Sequence, residues 1–468
     1  MKLLGRRLSG CAAALLASSP LALQAQDFEA NGPSVDLRLG DTLYSGVVQL
    51  PLEEDSTNVN LGDGAQPIDL CLEQEARAFC TTLTPGVPQP VTVEFEGKTQ
   101  TLVMKYRAPA ASFDEEYRAA HGGSIRVEVP PAYELVNVAI ALTPYAEETY
   151  GLVSPSPYLE VVRRRFGHLR DHPFVKALDS EMREDEGNYH LLKMNGAAFV
   201  LLPNDDVRAS QVYRRVGWSD NTLEPYVSEM QDFARAARFT RFLEDFAPLY
   251  DQQIAFLRND VDVEGMLEWL SREFPGQDPY DSVRVIFSPL VGYNQSMARF
   301  EDGDFRELQP HVNFPYPTST DGDFAEATLP FWQSLILFTE LNHGFINDTT
   351  DALNAEIEQA MGDVTHWTAA GSAGRGYGGA GSVFTEMINW ALFSVRARDV
   401  LPPDQADLVA DAIAATMLHG RGFTQFAPVQ DKLLALRAEQ EPGGTVAELL
   451  PTLVSSLAHM RAAESPAE

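Results

Sequence analysis

The sequence predicts an α+β fold: a β-rich N-terminal module, then a mostly helical domain built around a small sheet. Three observations carry that prediction. From about residue 27 to residue 129, apolar and polar residues alternate with the period of two that suits half-buried strands. At Pro130-Pro131 the spacing lengthens to the helical period and stays there for most of the remaining chain. Within that region, residues 198–202 and 283–287 are short apolar runs rich in β-branched and aromatic residues, which predicts two buried strands.

Size and charge set the outer limits. The chain has 468 residues, 44% of them hydrophobic and 10% aromatic, enough for two domains with substantial cores, which excludes global disorder. Sixty-seven acidic residues against 35 basic ones give a net charge of −32. A field of that sign opposes nucleic acid and anionic membrane surfaces, so neither is expected as a partner. Beyond the leader no apolar run approaches the roughly 18 residues a membrane span needs, so no transmembrane anchor is expected in the mature chain.

Residues 1–25 have the build of a secretory signal. Lys2, Arg6 and Arg7 form a basic start, residues 11–23 are apolar and small, and Leu23-Gln24-Ala25 offers a cleavage site. The expected destination is the periplasm or the extracellular space. Leu8-Ser9-Gly10-Cys11 imitates a lipid-attachment site, but the apolar core follows this cysteine instead of preceding it. Cys71 and Cys80 are then the remaining cysteines. In an oxidising compartment the pair is expected to form one disulfide across a short loop, the alternative being two buried thiols.

In the module, residues 35–39 alternate cleanly, residues 91–95 and 101–106 flank a Glu96-Gly97-Lys98 hairpin turn, and residues 124–129 close the region. The module is thus assigned residues 26–129 and the helical domain residues 130–463, with 464–468 a frayed tail. Helices are predicted at 133–142, 157–166, 172–180, 224–245, 247–258 and 262–273. The stretch from 292 to about 324 reads as loop, with Asp-Gly turns at 302–303 and 321–322. Asp260 to Gly265 imitates the start of a calcium loop but has Ser271 where the bidentate glutamate belongs, so calcium is not expected there. Later helices are predicted at 350–361, 383–393, 404–418, 429–439 and 445–462.

One predicted helix carries chemistry. Residues 331–347 are apolar at Leu335, Ile336, Leu337 and Phe338, then present Thr339-Glu340-Leu341-Asn342-His343. The pattern is one residue short of His-Glu-x-x-His, in which two imidazoles a turn apart bind zinc and the glutamate activates water. Thr339 stands at the first ligand position. Glu386, on a later helix behind the glycine-rich stretch 371–381, suits a distant carboxylate ligand. Tyr377 in that stretch could donate to an oxyanion. The stretch contains Gly-x-Gly-x-x-Gly, but no strand precedes it, which argues for a loop over a cleft and against a dinucleotide site.

Residues 339–347, Thr-Glu-Leu-Asn-His-Gly-Phe-Ile-Asn, resemble the His-Glu-x-x-His-Ser-Phe-Val-Asn stretch of a mostly bacterial family of unknown function whose members are taken for zincin-type metallopeptidases. Residues 133–142, Ile286-Phe287-Ser288-Pro289-Leu290-Val291-Gly292, and Glu386 followed by Ala391 resemble it too, so the likeness runs through residues 127–430. The resemblance implies a zincin-like fold, with Glu340 as general base, His343 and Glu386 as zinc ligands, and a peptide or protein substrate. Thr339 departs from it. A neutral hydroxyl is a poor zinc ligand, so the site is expected to be degenerate: inactive or weakly active, still able to bind peptides. Two alternatives stay open at this level: a working metallohydrolase completed by His311, His366 or His419, and a scaffold protein with no ligand at this helix.

Overall fold

The computed structural model describes residues 26–463 apart from 53, 54, 76, 278, 293 and 294. The expected leader and tail lie outside these residues. The described chain is α+β, and it divides into two compact units between Pro109 and Ala110.

The first unit is made of strands β1 (Gln26–Glu29), β2 (Ser34–Leu39), β3 (Thr42–Gln49), β4 (Ser56–Asp63), β5 (Ile68–Gln74), β6 (Arg77–Leu83), β7 (Gln89–Phe95) and β8 (Lys98–Arg107). They form two four-stranded sheets, ordered β1-β7-β8-β4 and β3-β2-β5-β6. Alternate residues of both sheets, including Val35, Leu37, Leu70, Leu72, Val91, Val93, Leu102 and Met104, share one core. The predicted β7–β8 hairpin is present: Glu96 and Gly97 both take positive φ (50° and 76°), the backbone a two-residue type I′ turn requires. Cys71 and Cys80 face each other across β5 and β6 and form the expected disulfide.

In the second unit, α1 (Glu115–His121) and β9 (Ser124–Glu128) lead to α2 (Pro131–Ala141), α3 (Pro144–Glu148), α4 (Pro157–Phe166), α5 (Pro173–Glu184) and α6 (Asn188–Asn195). The small hairpin β10 (Phe199–Leu201) and β11 (Val207–Ala209) precedes α7 (Val227–Ala237), α8 (Phe239–Asn259) and α9 (Val263–Glu273). Then come β12 (Ser282–Ser288), β13 (Ser296–Asp302) and β14 (Phe305–Asn313). The chain continues as α10 (Leu329–Gln333), α11 (Leu335–Ala352), α12 (Asn354–Met361), α13 (Ala380–Val400), α14 (Pro403–Ala415), α15 (Phe426–Glu439) and α16 (Val446–Ala463).

A mixed sheet ordered β13-β14-β12-β9 separates two hydrophobic cores. Val283, Val285 and Phe287 of β12 point to the core built with α9, α11 and α13–α16. Ile286 points the other way, to the core built with α2 and α4–α8. Burial on both faces is why β12 reads as a continuous apolar run. Glu134 of α2 is fully buried in the second core. Its carboxyl accepts from the Tyr158 hydroxyl at 2.7 Å, and Tyr158 and Tyr250 share a further bond, tying α2 to α4 and α8.

Several expectations change. Residues 124–128 do not close the N-terminal module: β9 pairs in parallel with β12, so the boundary falls at 109/110 instead of 129/130. Residues 296–313 are not loop but the β13–β14 hairpin, turned by the predicted Asp302-Gly303. The 198–202 strand belongs to a separate two-stranded hairpin and leaves Val200 exposed. The break in 224–258 falls at Arg238, which takes positive φ between α7 and α8. The key helix starts at Leu335, after a turn at Ser334 whose hydroxyl bonds to the Phe331 carbonyl.

Candidate functional site

Helix α11 lies against β13, β14, α9 and α13. Its close seat on the sheet depends on Gly344: a Cβ there would come within 2.8 Å of Leu308 and 3.0 Å of the Tyr280 hydroxyl. Tyr280 donates to the Gly344 carbonyl at 2.7 Å. Helix α13 is buried along most of its length, because α11, α12, α14 and α15 surround it. Between these elements opens a cavity of about 1000 Å³. Thr339, Glu340, His343, Glu386 and Tyr377 all line it, so residues separated by up to 47 positions in sequence share one cavity.

What each side chain does there differs from a metal site. Thr339 is 2% exposed, and its hydroxyl donates to the Ile336 carbonyl at 2.9 Å. His343 sits in an amide chain. Asn342 Nδ2 donates to Asn389 Oδ1 (2.8 Å), Asn389 Nδ2 faces His343 Nε2 (3.0 Å), and His343 Nδ1 faces Asn347 Oδ1 (3.1 Å). The directions are mutually consistent only if His343 carries its proton on Nδ1 and spends the Nε2 lone pair on Asn389. Glu386, 4% exposed, lies 3.6 Å from His343 Nε2. Its Oε1 already accepts from Arg421 Nη2 at 2.6 Å and from Trp390 Nε1 at 2.9 Å.

Arg421 is the residue sequence reasoning missed. Its guanidinium stacks 4.6 Å from the Trp390 ring centroid, with Tyr377 and Phe423 at 5.8 and 5.9 Å, and it donates to the Tyr377 hydroxyl. Tyr377 therefore serves as an acceptor for this cation. A π-helical turn, Thr416–Gly420, follows α14 and delivers Arg421 to the cavity. Gly422 then takes φ +75°, and a Cβ on it would meet Ser372 Cβ at 2.3 Å. Backbone bonds from Gly374 to the Arg421 carbonyl and from Ala369 to the Gly422 carbonyl (both 2.8 Å) fix this turn against the glycine-rich segment. The one local signal was Gly420-Arg421-Gly422, an arginine free of helical constraint.

Burial pushes the Glu340 carboxyl up to about 7; Glu386 adds to this, while His343, Lys193 and Arg421 oppose it. Among the described residues the Glu340 carboxyl makes no hydrogen bond. Fully buried Lys193 is pushed down to about 7 by burial, against the pull of Glu340. The histidines named for the alternative of a working metallohydrolase are not among the residues lining the cavity. His311 is buried in β14, its Nε2 facing Gln309 at 2.9 Å, and burial pushes its imidazole well down. His366 packs on Trp367, and His419 is exposed in the π turn. Besides His343, the wall carries His190, whose Nδ1 faces the Ser296 hydroxyl at 2.9 Å. Burial, with Lys193 adding, pushes it down to about 4.

The donor set therefore does not fit a zinc ion. One ligand position is a hydroxyl turned to the backbone, the imidazole lone pair is taken by an amide, and one carboxylate oxygen, Oε1 of Glu386, is held by a guanidinium. Among the described residues no three His, Cys, Asp or Glu side chains gather as a metal-binding group, and no helix is long and apolar enough to cross a membrane. No protein-family model matches the chain, and neither a curated protein nor a solved structure matches it.

Proposed function

We propose that this is an exported relative of zincin-type metallopeptidases that has given up its metal and retains the cleft as a binding site for peptides. The observation that carries the reading is the Arg421–Glu386 ion pair, 2.6 Å inside the cavity, which puts a permanent protein cation against the carboxylate expected to hold zinc. The Asn389–His343 bond supports it, because it uses the other ligand's lone pair. The cavity suits a peptide: Trp218, Tyr377 and Trp390 supply aromatic surface, while Gln295, Asn313 and Asn347 supply amides for main-chain groups. Without a metal to polarise it, a peptide carbonyl finds no Lewis acid in this reading, and Glu340 alone does not make a peptidase. The Cys71–Cys80 disulfide supports an oxidising compartment.

Metal analysis tests this directly. The purified, unchelated protein, incubated with zinc and desalted, is expected to hold well under one tenth of an equivalent. Near-stoichiometric zinc that disappears in His343→Ala would overturn the proposal and favour a working metallohydrolase.

A further inference from the structure

Arg421 has donors to spare. Nη2 makes both of its bonds, to Glu386 and to Tyr377, while Nε is buried without a partner and Nη1 is hydrogen-bonded to no described residue. The head group is nonetheless fixed, stacked on Trp390 and anchored by Glu386, at the wall of a cavity large enough for several residues of an extended chain. A fixed guanidinium with unmet N–H groups in a partly desolvated site is a strong recogniser of planar anions. Glu386 neutralises its charge to first order, so recognition of an anion here rests on the unmet N–H donors and not on net positive charge, which a monoanion tolerates better than a dianion. A dianion would meet Glu386, Glu340 and the field of a chain carrying −32. Trp390 lies against Arg421, and Ile336 and Met297 add apolar surface elsewhere in the same wall, which suits a peptide with an apolar side chain as well as the anion. Asn313 makes no side-chain hydrogen bond among the described residues, and Asn347 uses only its oxygen, so two amides remain for main-chain groups.

We propose that the cleft is a receptor for a carboxylate-bearing peptide, its carboxylate bound by the Nη1 edge of Arg421 in the place a metal-bound group would otherwise take. The proposal rests on the metal-free reading above. A free chain terminus and an acidic side chain offer the same chemistry, and the test separates them.

The full chain, with its zinc content measured in the same batch, is titrated with N-acetylated hexapeptides ending in Leu or Phe. Three forms are compared: free acid, C-terminal amide, and amide with an internal Glu. Trp218 and Trp390 in the wall provide intrinsic fluorescence as the readout. At least one carboxylate form is expected to bind ten or more times tighter than the plain amide, and which one does so identifies the source. Arg421→Met is expected to abolish that preference with the far-ultraviolet spectrum unchanged. If that variant does not fold, Arg421→Lys, which keeps the charge but loses the planar fork, is expected to reduce the preference at least fivefold. Equal affinity for acid and amide, absence of binding by every form, or inorganic phosphate displacing the peptide at equal concentration would overturn the proposal. Any of these in zinc-free protein leaves the metal-free reading standing, whereas stoichiometric zinc removes that reading itself.

Discussion

Replacing Arg421 by methionine keeps the side chain's apolar bulk and deletes the cation. Glu386 would then be a carboxylate 4% exposed with only the Trp390 indole as a donor. Removing one partner of a buried ion pair commonly costs about 3–5 kcal/mol. Two features lower that here: the Arg421 side chain is 23% exposed, and the indole bond survives. About 2 kcal/mol is a fair figure for the orphaned charge, with about 1 kcal/mol more for the lost stacking on Trp390. The second unit spans residues 110–468. At about 2.1 cal/mol/K per residue its unfolding entropy is about 0.75 kcal/mol/K, so about 3 kcal/mol lowers Tm by about 4 °C. Calorimetry at pH 7.5 reads this, and the cycle with Glu386→Gln isolates the pair. The double variant is expected to regain about 2 kcal/mol relative to Arg421→Met, because no orphaned charge remains. A Tm shift under about 1 °C, or strict additivity in the cycle, would refute the view that Arg421 neutralises Glu386.

Thr339→His alone is expected not to bind zinc, since Arg421 still holds Glu386; combined with Arg421→Ala it is expected to take up close to one equivalent by elemental analysis. Failure of the double variant counts against a zinc-helix ancestry. Replacing both Cys71 and Cys80 by serine opens a loop with a sequence separation of 9. It is expected to cost about 3 kcal/mol in the urea unfolding of the first unit, leaving the second unit's transition in place. Burial pushes the Glu134 carboxyl up to about 7 from 4.5. A raised carboxyl binds its proton more tightly folded than unfolded. Its contribution is therefore fully present below about pH 4.5 and is lost as the pH climbs to about 7, by on the order of 3 kcal/mol. Glu134→Gln is expected to flatten that fall in stability, measured by denaturation at pH 4.5, 6 and 7.5, and an unchanged slope would show that Glu134 is not its source.

Much of the fold was legible because period and turn chemistry are local. The β7–β8 hairpin announces itself in Glu96-Gly97, and β12 in a run buried on both faces. What was lost depends on partners far away in sequence. β9 carries a strand pattern, but nothing in it says that its partner is β12, about 160 residues on. β14 buries Glu307, Gln309 and His311, so it lacks the alternation that marks a strand. Glu307 is balanced by Arg126 and Tyr213 from other elements, an arrangement only the folded chain reveals. The site divides the same way. Thr339, Glu340 and His343 share a helix face, and their spacing gave them away. Glu386 was reachable through the chemistry of a third ligand. Arg421 lies in a turn after a π-helical segment, with no repeating neighbour and no motif, so only the tertiary structure brings it to Glu386.

The ion pair has a consequence for supply. A bound metal is an exchangeable component: a cell must deliver it, a chelator can strip it, and dilution favours its loss. The guanidinium of Arg421 is synthesised with the chain and held on Trp390 and Glu386. Every copy of the chain therefore carries this charge in its cleft from synthesis, as a covalent part of the protein that neither dilution nor a chelator can remove.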